Sequence, residues 1–452
     1  MKILTQYKGL TRANYALAIG RMVTNMGAMI MPMLTLILNQ KFGLSASETA
    51  LWIMFAGLIN LPANLIGGQL ADRISKKAMI IVCDLVSITI YLVCGIKDFN
   101  FTSFIMIMVA SFFQTIEGPA YSALVALVTP PGKEDKAFSI QYMGANVGFI
   151  LAPVIGGFLF NNYLWLCFII DAVTIAMSTV LIILFVDEKS YKDQAQAPRI
   201  EALREQEKSA NMAISPELQA TTESKACPEQ QATTANQTTK QSQGFISMLI
   251  RTNKPVILFM LAFALYEGGY SQFSYLMPID FAKYHGDMGA TIYGTVMSVS
   301  CFLVVVLTPI ITQIVESRSN QWKLVAGVAA QIVSFGVFLI SLGHIPAYYI
   351  AIAIFIVGEI LTMLCFSPYI VQAVGPEYRG RAFGWVSFLG ALASGYVMWY
   401  SGRYVDANDD RNAWIFTIVI CVVALALSIL LDFVTKTRPQ TENATQAASY
   451  KQ

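Results

Sequence analysis

The stretch GGQLADRISKKAMI, residues 67–80, sets four charged side chains, Asp72, Arg73, Lys76 and Lys77, between two long apolar runs. Its surroundings decide how it is read. Of the 452 residues, 56% are hydrophobic and only 13% charged, with a mean hydropathy of +0.57. A soluble chain carries about 25% charged residues. Apolar runs of roughly 20 residues match a hydrocarbon layer about 30 Å thick. The stretch is therefore a polar turn between two membrane helices.

Working outward, the apolar windows predict twelve spanning helices, near 13–39, 47–71, 77–97, 101–129, 136–160, 163–186, 254–284, 288–316, 321–343, 346–373, 379–401 and 411–435. Internal glycine and proline do not argue against them, because membrane helices tolerate both. The basic start MKILTQYKGLTRANY leads into the first run with no cleavage site after it, so that run is read as a retained span. With the N-terminus inside, fifteen Lys/Arg fall in short inner loops and tails and five in outer loops. That bias predicts both termini in the cytoplasm.

The expected fold is thus an all-α membrane protein, with two pseudo-symmetric six-helix bundles at 1–186 and 254–436. Between them, residues 187–253 read as a cytoplasmic linker rich in Gln, Ala, Thr, Ser and Glu, too polar to bury a core and expected to be largely disordered. Residues 437–452 form a cytoplasmic tail. A weak repeat supports two related halves: PPGKEDKAF precedes span five and GPEYRGRAF precedes span eleven, placing Ala137-Phe138 and Ala382-Phe383 at equivalent points.

Enzymatic chemistry finds no footing. Six of the seven cysteines lie in apolar runs, and the two histidines, His285 and His344, are far apart. No spacing suggests a disulfide framework, a metal site, a bound cofactor or a phosphate loop. The expected partners are a small-molecule substrate, protons and the lipid bilayer of the plasma or inner membrane, with no nucleic acid and a monomeric state.

Residues 68–77 resemble the loop between helices two and three of the major facilitator superfamily, G-x-L-a-D-r-x-G-r-k. Gly68, Leu70, Asp72, Arg73, Lys76 and Lys77 match, and Ser75 stands where glycine is usual. The resemblance implies a conformational latch built from Gly68, Asp72, Arg73, Lys76 and Lys77, with Asp84 as a supporting acid. Asp72 would face the start of helix eleven near Arg379, where a carboxylate gains roughly 0.3–1 kcal/mol from the helix dipole. That contact requires a closed cytoplasmic side. Span five carries a second pattern, GANVGFILAPVIGG, residues 144–157, in which Gly148, Ala152 and Gly156 share one helix face. It resembles the helix-five motif of antiporters in the same family, with Pro153, Gly156 and Gly157 matching and Ala152 replacing a glycine. The arginine that many drug exporters of the family have in helix four is missing, and Glu117 is offered instead.

Charged residues within spans are costly, about 2.5–3.5 kcal/mol for a central Asp, Lys or Arg, and persist where they face a partner or a wet cavity. Glu117, Glu267 and Glu359 fall near the midplane, about 18–21 Å along their helices. In the family, helices one, four, seven and ten line the cavity. These glutamates, with Arg21, are therefore candidates for proton coupling and substrate binding, Glu359 and Glu267 first. Asp171, in peripheral span six, reads as structural. Tyr266, Tyr270 and Met26 are candidate aromatic and sulfur groups lining a site for lipophilic cations. The function expected is proton-coupled efflux by alternating access. The alternatives are proton-coupled nutrient uptake, of a sugar, peptide or organic acid, and a receptor or scaffold that no longer transports.

Overall fold

The computed structural model describes residues 9–97, 100–191, 254–340, 343–374 and 379–437. The linker reading for 192–253 and the tail lie outside those residues. The chain is all-helical among the described residues. The helices are α1 (Arg12–Gly27), α2 (Ala46–Arg73), α3 (Lys76–Ile96), α4 (Phe101–Val128), α5 (Glu134–Leu159), α6 (Leu164–Phe185), α7 (Lys254–Tyr270), α8 (Gly289–Ile314), α9 (Asn320–Ile340), α10 (Ile345–Ala373), α11 (Arg379–Asp406) and α12 (Asp410–Thr437). Among the described residues, ten stretches are long and apolar enough to cross a membrane. One of them, the 60-residue Pro255–Ile314, reverses direction at Gly286, whose φ of 53° suits glycine.

Polar caps set the boundaries. Ser45 and Glu48 form a capping box at the start of α2, Asn100 and Ser103 do the same for α4, and Ser75 caps α3. The first and seventh spans are not the unbroken helices expected from the sequence. After Gly27 the chain leaves the helix and resumes at Leu34–Lys41; after Tyr270 a tight turn leads into a second helix, Leu276–His285. Each resumed segment is preceded or entered by a proline, Pro32 and Pro278, which has no N–H to continue the ladder. Asp171 of α6 accepts the backbone N–H of Ile30 inside the first break. An unpaired N–H in hydrocarbon costs several kcal/mol, so this carboxylate has a structural job.

The packing repeats. In the first half α1 lies against α5 and α6, α2 against α4, and α3 against α4 and α6. The second half reproduces each pair six helices later: α7 with α11 and α12, α8 with α10, and α9 with α10 and α12. The most extensive pairings between the halves are α5 with α8 and α2 with α11, and the same six-helix shift exchanges them.

The two ends of the molecule differ. At one end a single continuous core joins both halves, from Met29, Ile90 and Phe168 through Phe281 and Tyr293 to Trp414. At the other end, which carries Arg73, Lys76, Lys77, Lys133, Arg318 and Lys323, the cores are separate. One contains Leu17, Met79 and Leu124, and the other Phe259, Val328 and Val386. The halves are joined at the sealed end and splayed at the basic end.

Candidate functional site

Two clusters of charged side chains lie in the halves, each at the level where the first helix of the half meets its fourth. In the first half, Arg21 of α1, Asp84 of α3 and Glu117 of α4 line a cavity of about 270 Å³ with Asp171 and Gln114. Thr179 donates to Asp84 Oδ2 at 2.6 Å. The Asp84 and Glu117 carboxyls are neighbours, and Arg21 is the cation beside them. Arg21 makes no ion pair within 4.0 Å among the described residues; its guanidinium lies 5.2 Å from the Tyr121 ring centroid. The Tyr121 hydroxyl donates to the Leu17 carbonyl at 2.6 Å, which fixes the ring. Asp84 therefore belongs to this cavity, two turns inside the membrane, rather than to the loop it was expected to support.

In the second half, Tyr270 donates to Glu359 Oε1 at 3.0 Å, and Thr362 bonds the Tyr266 hydroxyl at 2.7 Å. Glu359 is the acid whose charge acts on Glu267. Rings of Tyr266, Tyr270 and Phe355 pack in sequence beside them, the last two with centroids 5.3 Å apart. No lysine or arginine acts on either glutamate among the described residues. Tyr266 is 1% exposed, so it supports the cluster from behind. Met26 does not line the first-half cavity; its backbone lies against α5, and Met31 takes a place in the cavity wall instead.

The helix-five stretch works through backbone proximity. A Cβ on Gly144 would lie 2.8 Å from the Ala18 carbonyl oxygen, and one on Gly148 2.4 Å from that of Met22, so this face seats α1. Ala152 is fully buried, and Gly156 faces Met29. Gly157 looks the other way, across to the second half, where a Cβ would lie 2.5 Å from the Ala290 oxygen. Gly294 of α8 returns the contact against the Pro153 carbonyl. Small residues allow two helices this close.

Other bonds close the sealed end. Pro278 cannot bond the carbonyl four residues back, that of Ser274, and Thr35 from the first half donates to it at 2.7 Å. Asn161 donates to the Asp287 carbonyl at 2.6 Å. Nearby, Lys41 donates to the Asn161 carbonyl and lies over the Phe160 ring; burial draws its ammonium pKa below the ordinary lysine value, with Asp287 opposing.

At the basic end the opening stretch is anchored within its own half. Glu188, which the sequence reading did not single out, accepts from the Ser75 hydroxyl at 2.5 Å and from the Lys76 and Lys77 backbone N–H groups at 3.1 and 2.9 Å. Lys77 Nζ donates to the Ile183 and Val186 carbonyls, capping the end of α6. Ser75, the departure from the usual glycine, is thus both the α3 cap and a donor to Glu188. Gly68 has open space around it, and Asp72 and Arg73 are exposed. Arg379 of α11 bonds the Val371 and Val374 carbonyls of its own half.

Among known proteins, the Major Facilitator Superfamily profile matches residues 17–398. The uncharacterized MFS-type transporter YqjV of Bacillus subtilis is 22% identical over 415 residues, covering 91% of this chain and 90% of that protein. Two relatives match over about a third of their length. The Na(+), Li(+), K(+)/H(+) antiporter of Planococcus maritimus is 24% identical over 140 residues, 30% of this chain and 32% of that one. The quinolone resistance protein NorA of Staphylococcus aureus is 29% identical over 138 residues, 29% and 34%. The crystal structure of a peptide transporter POT in complex with sulfate superposes with a TM-score of 0.70 at 17% identity over 95% of each chain, a likeness of fold. With a transporter's helical architecture and a profile match along most of its length, the chain belongs to the major facilitator superfamily and is a multi-pass protein of the cell membrane.

Proposed function

We propose that the chain is a proton-coupled efflux antiporter for hydrophobic or cationic small molecules, crossing the membrane twelve times and working by alternating access. One observation carries this reading. Glu267 and Glu359 lie within electrostatic reach of each other, Tyr270 bonds Glu359, and neither acid has a protein cation beside it among the described residues. Two carboxyls in an apolar setting need a neutralising partner. A proton supplies one, and a lipophilic cation held against Tyr270 supplies another. The two then compete for one site, which is the basis of exchange.

Glu117, Asp84 and Arg21 occupy the matching place in the first half, as expected of a site at the interface of two repeats. The helix-five contact and the drug-resistance and cation/proton-antiporter relatives support export. The positive-inside bias assigns the basic end to the cytoplasm, so the splayed halves form an inward-open state. The exposed Asp72 is then a latch awaiting closure of that side.

The test is proton release from purified protein on adding a panel of lipophilic cations, compared with Glu359→Gln. Release in the wild type that disappears in the variant is expected. No release with any cation, from folded protein, sinks the reading. A second reading, proton-coupled uptake of an organic acid or peptide, draws on Arg21, an exposed guanidinium in the first-half cavity that suits a carboxylate. Anion-dependent proton uptake that Arg21→Gln abolishes would favour it.

A further inference from the structure

We propose that Asp406 is a gating residue of the transport cycle. Its carboxylate, on the last residue of α11, would hold the first turn of α2 in the inward-open state and release it when the sealed end opens.

The contact joins the two halves. Asp406 Oδ1 accepts the Ala46 N–H at 2.7 Å, and Oδ2 accepts the Ser47 N–H at 3.1 Å and the Ser47 hydroxyl at 2.5 Å. The Tyr275 hydroxyl, also from the second half, donates to the Ala46 carbonyl at 2.5 Å. Glycine at 402 makes the approach possible, since a Cβ there would lie 2.9 Å from Ser47 N and 2.3 Å from the Tyr275 oxygen. A carboxylate at a helix N-terminus meets both the free N–H groups and the positive end of the dipole.

Three features make this contact breakable rather than a fixed strut. First, α2 has its own cap: Ser45 accepts the Glu48 N–H and Glu48 accepts the Ser45 N–H at 2.9 Å. The helix start survives when Asp406 leaves. Second, Asp406 is exposed, so its charge returns to water on release. Third, among the described residues, the carboxylate that ties α2 to α11 is at this end. At its other end Asp72 is exposed and makes no hydrogen bond or ion pair among the described residues. The α5–α8 junction on the other side of the sealed end closes by backbone packing, which does not depend on charge. Asp406 is the side chain whose hydrogen bonds set how firmly the α2 start meets α11.

The inference rests on the alternating-access reading, and one experiment separates them. Spin labels replace Lys97 and Arg411, exposed residues at the sealed end of either half, in a background lacking the native cysteines. A second pair, at Lys136 and Ser317, reports the basic end. Pulsed dipolar distances are read on the full chain in lipid. Asp406→Asn and Tyr275→Phe are each expected to raise the long-distance fraction at the sealed end roughly tenfold, from the loss of a hydrogen bond to a charged or buried group. At the basic end the short-distance fraction rises with it. Asp409→Asn is the control, since that carboxylate, just before α12, serves Asn412 in the first turn of α12 and should change neither distance. Two populations in the wild type whose ratio ignores Asp406→Asn and Asp406→Ala, in proteins that unfold at the wild-type temperature, would overturn the gating role and leave alternating access standing. A single population in every variant would overturn both.

Discussion

Replacing Gly157 by alanine tests the junction between the halves at one of its close backbone approaches. The new Cβ would lie 2.5 Å from the Ala290 oxygen and 3.0 Å from Thr291 Cα. A relaxed carbon–oxygen contact is about 3.4 Å, so α5 and α8 must part by nearly 1 Å. Neither atom belongs to a side chain that can swing away. Overpacking of this kind costs typically 1–3 kcal/mol. Parting also stretches the Thr291 Oγ1–Gly157 O bond, now 3.2 Å, worth about 1 kcal/mol. The strain exists only while the sealed end is closed. About 2 kcal/mol then shifts the equilibrium roughly thirty-fold toward the state in which α5 and α8 separate. Distances across the sealed end, between labels at 97 and 411, should lengthen in Gly157→Ala. Gly57→Ala, where the added methyl meets nothing within 4 Å, should leave them unchanged. Gly144→Ala strains α5 against α1 inside one half and should lower the unfolding temperature without lengthening those distances. A Gly157→Ala distance distribution identical to that of Gly57→Ala would refute the reasoning.

Further outcomes follow from single contacts. Glu188→Ala strips three bonds from the α3 start and should lower stability by about 1–3 kcal/mol, read as a lower unfolding temperature in detergent. Ser75→Gly, which restores the usual residue of the loop, removes the cap hydroxyl and its bond to Glu188, so it should also destabilise, by a few tenths to about 1 kcal/mol. Trp414→Phe removes the indole N–H that bonds Asp280, a carboxylate 3% exposed whose other oxygen already has no partner. That loss should cost about 1–3 kcal/mol by thermal or denaturant unfolding, and an unchanged midpoint would mean that water satisfies the site.

The spans were legible because composition alone marks them, and most helix ends fall within a few residues of the expected ones. The exceptions are instructive. Span eleven was expected to stop at 401, where GRYVD turns polar, but α11 continues to Asp406 because that acid has the α2 start to bond. The breaks in the first and seventh spans went unread although each has a Met-Pro pair, Met31-Pro32 and Met277-Pro278, at nearly the repeat spacing of the loops before spans five and eleven. Proline inside a membrane helix is ambiguous, because a neighbour can satisfy the freed carbonyl. Here Thr35, 239 residues away, does so for Ser274. In the candidate site, Glu359, Glu267, Glu117 and Arg21 stood out as charges in apolar runs. Which of them stands beside a protein cation did not, since that depends on which helices meet: Arg21 lies beside Glu117 and Asp84, and no cation acts on Glu267 or Glu359 among the described residues. Glu188 was invisible for the opposite reason: in a polar stretch, one more acid carries no signal.

The splay of the two halves has a mechanical consequence. With one continuous core at the sealed end and two separate cores at the basic end, the halves meet at the level of one leaflet and part at the level of the other. Reversing the splay would move occupied area from one leaflet to the other. Any lipid change that alters lateral pressure in one leaflet therefore does work on the protein, of opposite sign at its two ends. The surrounding bilayer would in this sense be a third party to the proposed exchange, able to slow or hasten turnover without touching any side chain of the site.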